Sequence, residues 1–79
     1  MSIAIAHIIY YIDMKFGKLF KSFRMENGYT QKNIADKLGI AQSNISDWEN
    51  DISRPEYENL IKLAEIYEVT IGELLGVEQ

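Results

Sequence analysis

The chain has 79 residues, which suits one domain with a thin hydrophobic core rather than two domains. Hydrophobic residues make up 47% and charged residues 25% of it, as is usual for a globular protein. It has no cysteine and a single histidine, His7, so the sequence excludes disulfides, thiolate metal sites and a zinc site of several histidines. We expect no metal, no cofactor and no small-molecule substrate. Because no catalytic constellation is visible, we do not expect an enzyme.

The net charge of −4 is unfavourable for a nucleic-acid-binding protein, but the charges are unevenly distributed. Residues 14–50 carry six Lys or Arg against four Asp or Glu, whereas residues 51–79 carry two against seven. An acidic C-terminal part can therefore hide a mildly basic surface that faces phosphate groups.

The first 14 residues form an apolar N-terminal extension (1–14). Ile3–Ile12 is apolar except for His7, but a membrane span needs ~20 residues, and a secretory signal needs Lys or Arg before its apolar part. We therefore expect a cytoplasmic protein that does not engage a membrane.

The sequence allows two interpretations of the secondary structure of this extension and two of its role. Its isoleucines fit a helical stripe that continues into Phe16, but the enrichment in Ile and Tyr equally favours a strand. One interpretation of its role is a dimerisation arm that packs on the apolar side chains of Leu19 and Met25. The other is that Met14 is the native start of the protein.

Two helices are predicted directly after the extension. Apolar side chains that recur at i, i+3, i+4 and i+7 predict a first helix over about Phe16–Asn27, which Gly28 ends. Thr30 offers an N-cap hydroxyl for a second helix over Gln31–Leu38, which ends at Gly39.

A third helix is predicted over about Gln42–Asn50, with Ile45 and Trp48 facing the core. Only the three residues Gly39-Ile40-Ala41 separate it from the second helix. A short turn containing glycine between two helices is the helix-turn-helix signature, although many helical bundles contain one. The spacing of Trp48 from Ile45 favours a core position over stacking on a base.

Two capping-box patterns predict the remaining helices. The first, Ser53–Glu56, surrounds Pro55 and predicts the start of a fourth helix that reaches Tyr67. The second, Thr70–Glu73, predicts a short fifth helix. Five short helices leave little room for an internal cavity, which favours a binding module over an enzyme for small molecules.

The third helix places short or amide-bearing side chains opposite its apolar face: Gln42, Ser43, Asn44 and Ser46. Gln and Asn can bond an adenine edge with two hydrogen bonds, and Ser can bond any base edge. The N–H groups at a helix start also suit phosphate. The same residues could serve only to cap the helix, and this helix alone does not decide between the two interpretations.

Three runs of residues share one register over positions 16–76. They are Phe16-Gly17…Phe20…Phe23-Arg24…Gly28, Thr30-Gln31…Ile34-Ala35…Leu38-Gly39-Ile40…Gln42-Ser43…Ile45-Ser46…Trp48-Glu49-Asn50…Arg54-Pro55, and Leu60…Leu63-Ala64…Val69-Thr70…Glu73-Leu74-Leu75-Gly76. Together they resemble the phage-repressor-like (XRE) helix-turn-helix family, which includes the lambda repressor and the Cro proteins. The resemblance implies an all-α, five-helix, lambda-repressor-like DNA-binding domain over residues 15–76, with a short tail over residues 77–79. It also implies a homodimer that binds a pseudo-palindromic operator in double-stranded DNA and regulates transcription, usually as a repressor.

The resemblance also implies roles for individual residues at the DNA. Gln42 matches a recognition-helix glutamine that pairs with adenine. Gln31 matches a glutamine that braces this helix, touches phosphate and often bonds the first glutamine. Asn50 matches an asparagine that bonds phosphate after the helix. The other residues expected toward bases or phosphates are Ser43, Asn44, Ser46, Asp47 and Lys32.

Arg24 and Glu49 match a semi-buried ion pair that ties the first helix to the third, and we expect its role to be structural. Other positions depart from the family pattern. Asp47 replaces a frequent Lys or Arg, and it either accepts a hydrogen bond from a cytosine amino group or repels phosphate. Ala41 lacks the usual capping hydroxyl of the recognition helix, and Glu68 replaces the usual glycine after the fourth helix, so we expect that turn to be strained or reshaped.

The alternative function is a protein-interaction module on the same fold, of the antitoxin or antirepressor type, with weak DNA binding. The negative net charge, Asp47 and the apolar extension favour it. Salt separates the two functions, because binding through phosphate contacts weakens steeply with salt and binding through apolar surfaces does not.

Overall fold

The computed structural model describes residues 16–77, and this part of the chain is helical and contains no β-strand. Residues 16–26 form α1, and the helices that follow are α2 (Gln31–Leu38), α3 (Gln42–Glu49), α4 (Tyr57–Tyr67) and α5 (Ile71–Leu75). The prediction of an all-α fold with five short helices is confirmed. Within residues 16–77, no helix has the length and apolarity needed to cross a membrane. The predictions for the N-terminal extension lie outside the described residues.

Aromatic side chains hold the centre of the domain. Phe20 is completely buried and meets Trp48 and Tyr67 edge-to-face, at ring-centroid distances of 5.8 and 6.0 Å. Phe16 stacks on Phe20 at 5.9 Å. Trp48 is 5% exposed and therefore lies in the core, as its spacing predicted. These contacts join α1, α3 and α4, and each helix from α2 to α5 adds one fully buried aliphatic side chain: Ile34, Ile45, Leu63 and Leu74.

All five helices within residues 16–77 end in the same hydrogen-bonded motif. The residue after the last turn is left-handed, and its N–H group and the next one return to carbonyl groups of that turn. After α2, the Gly39 N–H donates to the Asp36 carbonyl at 3.3 Å, and the Ile40 N–H donates to the Ala35 carbonyl at 3.0 Å. Glycine occupies the left-handed position after α1, α2 and α5: Gly28, Gly39 and Gly76.

The other two helices end on residues that carry side chains. Asp51 follows α3 with φ 58°, and Glu68 follows α4 with φ 56°. Asp tolerates this conformation better than Glu, because its short carboxylate can form hydrogen bonds nearby. The Asp51 carboxylate instead makes a tertiary contact, because it accepts a hydrogen bond from the Gly17 N–H at 3.0 Å. Glu68 keeps the shape of the motif, so the departure from glycine appears as backbone strain and not as a different turn.

Two of the three predicted side-chain caps are confirmed and one is wrong. Thr30 and Thr70 each cap a helix by accepting a hydrogen bond at Oγ1 from the third helical N–H at 3.0 Å. The capping box predicted over Ser53–Glu56 is absent, because Glu56 is itself the N-cap of α4 and makes no side-chain cap bond. The physical reason is Pro55, which disfavours helical geometry at the residue before it and so moves the helix start beyond it.

The Tyr67 hydroxyl is a polar group inside this core. Tyr67 is 4% exposed, and its hydroxyl has no hydrogen-bond partner among the described residues. Burial, and secondarily the negative charge of Glu49, raise the pKa of Tyr67 above its usual range. The folded state therefore holds this proton more tightly than the unfolded state does.

We expect Tyr67→Phe to leave the free energy of unfolding unchanged or to raise it by about 1 kcal/mol at neutral pH, because a buried hydroxyl without a partner is removed. The pKa of tyrosine in the unfolded chain is about 10, and the pKa of Tyr67 in the folded protein is higher. Above about pH 10, ionisation of this tyrosine therefore stabilises the unfolded state while the folded state keeps its proton. Above that pH the wild type loses stability that the variant keeps, so the gap between them widens. Urea titrations from pH 7 to 11 measure this gap. Tyr57→Phe is the matched control, since Tyr57 is 68% exposed, and an equal widening there would contradict the prediction.

We expect Glu68→Gly to raise the free energy of unfolding by about 0.5–1 kcal/mol, because glycine adopts φ 56° without steric strain. Glu65→Gly is the matched control within α4, where glycine costs about 1 kcal/mol of helix stability. Thermal or urea unfolding should give changes of opposite sign. A loss of stability in both variants would show that the left-handed position carries no strain.

Candidate nucleic-acid interface

The second and third helices form a helix-turn-helix unit whose orientation is set by the core. Gly39 ends α2 with φ 70°, and Ile40 and Ala41 lead into α3. Ile34 on α2 and Ile45 on α3 are completely buried. Because the apolar side of α3 is fixed in the core, its opposite side must point away from the domain.

The outward side of α3 is polar along its whole length. Gln42, Ser43 and Asn44 in the first turn are exposed, and Ser46 and Asp47 are half-buried. The helix N-cap, Ala41, makes no side-chain hydrogen bond to the first turn. The outward side therefore offers amides, hydroxyls and N–H groups that can pair with the planar edge of a ligand or with an anion.

A buried ion pair lies directly behind this surface. The Glu49 side chain is 3% exposed and accepts from Arg24 twice, at 2.6 Å (Nε to Oε2) and at 3.0 Å (Nη2 to Oε1). The third Arg24 nitrogen group, Nη1, donates to the Tyr29 carbonyl at 2.9 Å. The hydrogen bonds with Glu49 raise the pKa of Arg24 above a value at which a guanidinium is already fully charged. This pair fixes α3 against α1, as the family resemblance implied, and the bond to Tyr29 also fixes the loop before α2.

The same carboxylate connects to the exposed surface through two glutamines. Gln31 Nε2 donates to Glu49 Oε1 at 3.1 Å, and Gln42 Nε2 donates to Gln31 Oε1 at 3.3 Å. The structure thus brings together Gln31 and Gln42, which the resemblance had paired. The bond between Gln31 and Glu49 was not predicted, and no sequence pattern indicates it, because it depends on the packing of α2 against α3.

Asn50, Ser46 and Lys32, which were also predicted at the interface, form contacts within the domain. The Asn50 amide donates to the Ser46 carbonyl at 2.8 Å and lies 3.4 Å from the Ser46 hydroxyl, so it is anchored at the end of α3. The Lys32 Nζ lies 3.5 Å from Asp36 Oδ2 on the exposed side of α2. Such an exposed pair is weak, and it leaves the Lys32 ammonium accessible to an anion.

Asp51 has a structural role that the sequence analysis missed. Its carboxylate accepts the Gly17 N–H at 3.0 Å, and a Cβ atom at Gly17 would lie 2.5 Å from the Glu49 carbonyl oxygen. The start of the described part of α1 thus packs directly on the end of α3. Asn and Asp are common in turns and tolerate left-handed backbone, so the Asn50-Asp51 pair was the available sequence signal.

Within residues 16–77, no group of three His, Asp or Glu side chains is placed to hold a metal ion. The chemistry that this surface offers is hydrogen bonding by oriented amides and hydroxyls, with lysine charge nearby. No group on it resembles a nucleophile held by a base.

Comparisons with known proteins agree with this geometry. A family model described as Helix-turn-helix matches residues 20–74, a range that includes α2, the turn and α3. The transcriptional regulator ImmR of Bacillus subtilis (strain 168) is 41% identical over 66 residues, which cover 84% of this chain and 52% of ImmR. The cryptic phage CTXphi transcriptional repressor RstR of Vibrio cholerae is 33% identical over 63 residues, which cover 80% of this chain and 56% of RstR. The antitoxin HipB of Escherichia coli O6:H1 is 30% identical over 61 residues, which cover 77% of this chain and 65% of HipB.

This chain spans about half the length of ImmR and of RstR. The names are those of transcriptional regulators and of an antitoxin, and not of enzymes. No solved structure matches the chain at a significant level. The matched family model, the helix-turn-helix unit and the sequence motifs lead to one conclusion: the chain belongs to the helix-turn-helix family, in its phage-repressor-like (XRE) type.

Proposed function

We propose that the chain is a sequence-specific, double-stranded-DNA-binding regulator of transcription, most simply a repressor, which inserts α3 into the major groove. Membership of the helix-turn-helix family supports this proposal, as do the names of the relatives ImmR and RstR. An α-helix fits the width of the major groove, and a helix-turn-helix places its second helix there.

One observation carries the proposal: Gln42 is exposed at the first turn of α3 and is held by Gln31. A glutamine amide can form two hydrogen bonds with adenine, at N6 and N7. A side chain that is already oriented loses less conformational entropy when it binds than a free one does. We therefore assign adenine recognition to Gln42, and we assign the neighbouring base contacts to Ser43, Asn44 and Ser46.

The phosphate contacts are assigned to the rim of this surface. Gln31 is the first residue of α2, Asn50 follows the last turn of α3, and Lys32 on α2 adds long-range attraction. The uncapped N–H groups at the start of α3 add further donors. Asp47 is half-buried on the groove side, where it either reads cytosine or repels phosphate.

Two copies of the chain are expected at each operator. One copy provides a single recognition helix of eight residues, and specific sites usually need two such helices on half-sites ~34 Å apart. The selected DNA should therefore be a pseudo-palindrome bound by a homodimer.

We expect selection from a random duplex pool, at physiological salt, to enrich a palindrome with adenine at matched half-site positions. Gln42→Ala should lose ~1–3 kcal/mol of binding free energy on this duplex and little on unrelated DNA, because only the base contact is removed. Lys32→Ala is the control, since loss of a phosphate contact weakens binding to both duplexes alike and lowers the salt dependence. Equal losses on both duplexes in Gln42→Ala would contradict its assigned role.

An interaction module of the antitoxin or antirepressor type is the second candidate function. The similarity to the antitoxin HipB supports it, as do the exposed side chains of Ile52 and Tyr57, which are 73% and 68% accessible. If the wild-type protein is folded by circular dichroism but enriches no duplex, this candidate replaces the first. Binding to its partner should then change little with salt.

A further inference from the structure

We propose that Glu49 is a positioning residue for base recognition: its carboxylate, through Gln31, fixes which way round the Gln42 amide faces and so favours adenine over guanine. This inference rests on the proposed function of α3 as a reader of DNA. Part of the sequence specificity would then depend on a buried side chain, since that of Glu49 is only 3% exposed to solvent.

Both oxygens of the Glu49 carboxylate act as hydrogen-bond acceptors. Arg24 offers only hydrogen-bond donors, and two of its nitrogens contact the two Glu49 oxygens at 2.6 and 3.0 Å. The oxygen Oε1, which also faces Gln31, is therefore an acceptor. Because Glu49 is buried and held on both oxygens, it cannot turn away to present another group.

The Glu49 carboxylate fixes the orientation of the Gln31 amide. Its partner is an acceptor, so its NH₂ group must face Glu49, as the Nε2–Oε1 distance of 3.1 Å records. A reversed amide would place its carbonyl oxygen against the carboxylate and lose the hydrogen bond. The Gln31 carbonyl oxygen is consequently turned toward Gln42.

The Gln31 amide in turn fixes the orientation of the exposed Gln42 amide. Gln42 faces a carbonyl oxygen, so its own NH₂ group must point at Gln31, with Nε2 at 3.3 Å from Oε1. One N–H of this group and the carbonyl oxygen remain for a ligand. They form a donor and an acceptor in a fixed order along the outer edge of the amide.

This fixed order matches one purine edge and not the other. Adenine presents an acceptor at N7 and a donor at the 6-amino group, which pair with the remaining N–H and the carbonyl of Gln42. Guanine presents acceptors at both N7 and O6, so the Gln42 carbonyl would meet an oxygen. To avoid that contact the amide would have to rotate, and rotation breaks the bond to Gln31.

The test compares two duplexes that differ only at the base pair assigned to Gln42, identified as the position whose enrichment disappears in Gln42→Ala. One duplex carries adenine there and the other guanine, and fluorescence anisotropy gives the ratio of the two dissociation constants for the full chain. Gln31→Met removes the amide but keeps the chain length and leaves the ion pair intact. We expect it to reduce the preference for adenine roughly three- to tenfold, the value of one hydrogen bond.

Two variants separate this role from simpler ones. Lys32→Met, at the adjacent position on the same helix, should weaken binding to both duplexes equally and leave the ratio unchanged. Glu49→Gln keeps the shape of the side chain but allows its amide to donate as well as accept, so the ratio should fall as it does in Gln31→Met. An unchanged ratio in folded Glu49→Gln would overturn the role of Glu49, and an unchanged ratio in Gln31→Met would reduce Gln31 to a phosphate contact.

A spectroscopic measurement on the free protein keeps the proposal testable if Glu49→Gln does not fold. In the wild type, the Gln42 side-chain NH₂ should rotate more slowly by NMR than it does in Gln31→Met. The Gln31 NH₂ should rotate more slowly than the NH₂ of the exposed Asn44 side chain. Fast rotation of either amide in the wild type would overturn the inference. A wild type that shows no preference for any base would instead remove the proposed function itself, so the two failures are distinguishable.

Discussion

The contact between Arg24 and Glu49 is the interaction on which the arrangement of the interface depends. A carboxylate taken out of water costs several kcal/mol unless it is paired and hydrogen-bonded, and Glu49 is satisfied by two nitrogens of Arg24 and by one of Gln31. These donors come from α1 and α2, while Glu49 belongs to α3. A single buried charge therefore aligns three helices, and loss of either member would leave the other uncompensated.

Apolar contacts and hydrogen bonds determine different properties of the interface. Burial is non-directional, so the packing of Ile45 and Trp48 decides which side of α3 faces outward but not how the side chains on that side are turned. Hydrogen bonds are directional and distinguish donors from acceptors, so the bonds from Glu49 through Gln31 orient the amide of Gln42. A small domain thus obtains a preorganised surface without additional core.

The net charge of −4 is a poor guide to the surface that faces a ligand. Two of the acidic residues in or next to the helix-turn-helix are engaged within the protein: Glu49 with Arg24, and Asp51 with the Gly17 N–H. The acidic residues of α4 and α5 lie outside the α2–α3 unit. What matters for an approaching phosphate is the charge left accessible near α3, and not the sum over the chain.

The sequence by itself determined the five helices, the core position of Trp48 and the family, because helical periodicity, glycine stops and threonine caps act over a few residues. It misplaced the start of α4 where Pro55 overrode a capping pattern, and it missed the structural role of Asp51. Only the tertiary structure decided that Gln31 bonds Glu49, since these residues lie 18 positions apart and meet through the packing of two helices. Local patterns establish which elements form and which face is buried, whereas the partner of a polar side chain is chosen in three dimensions.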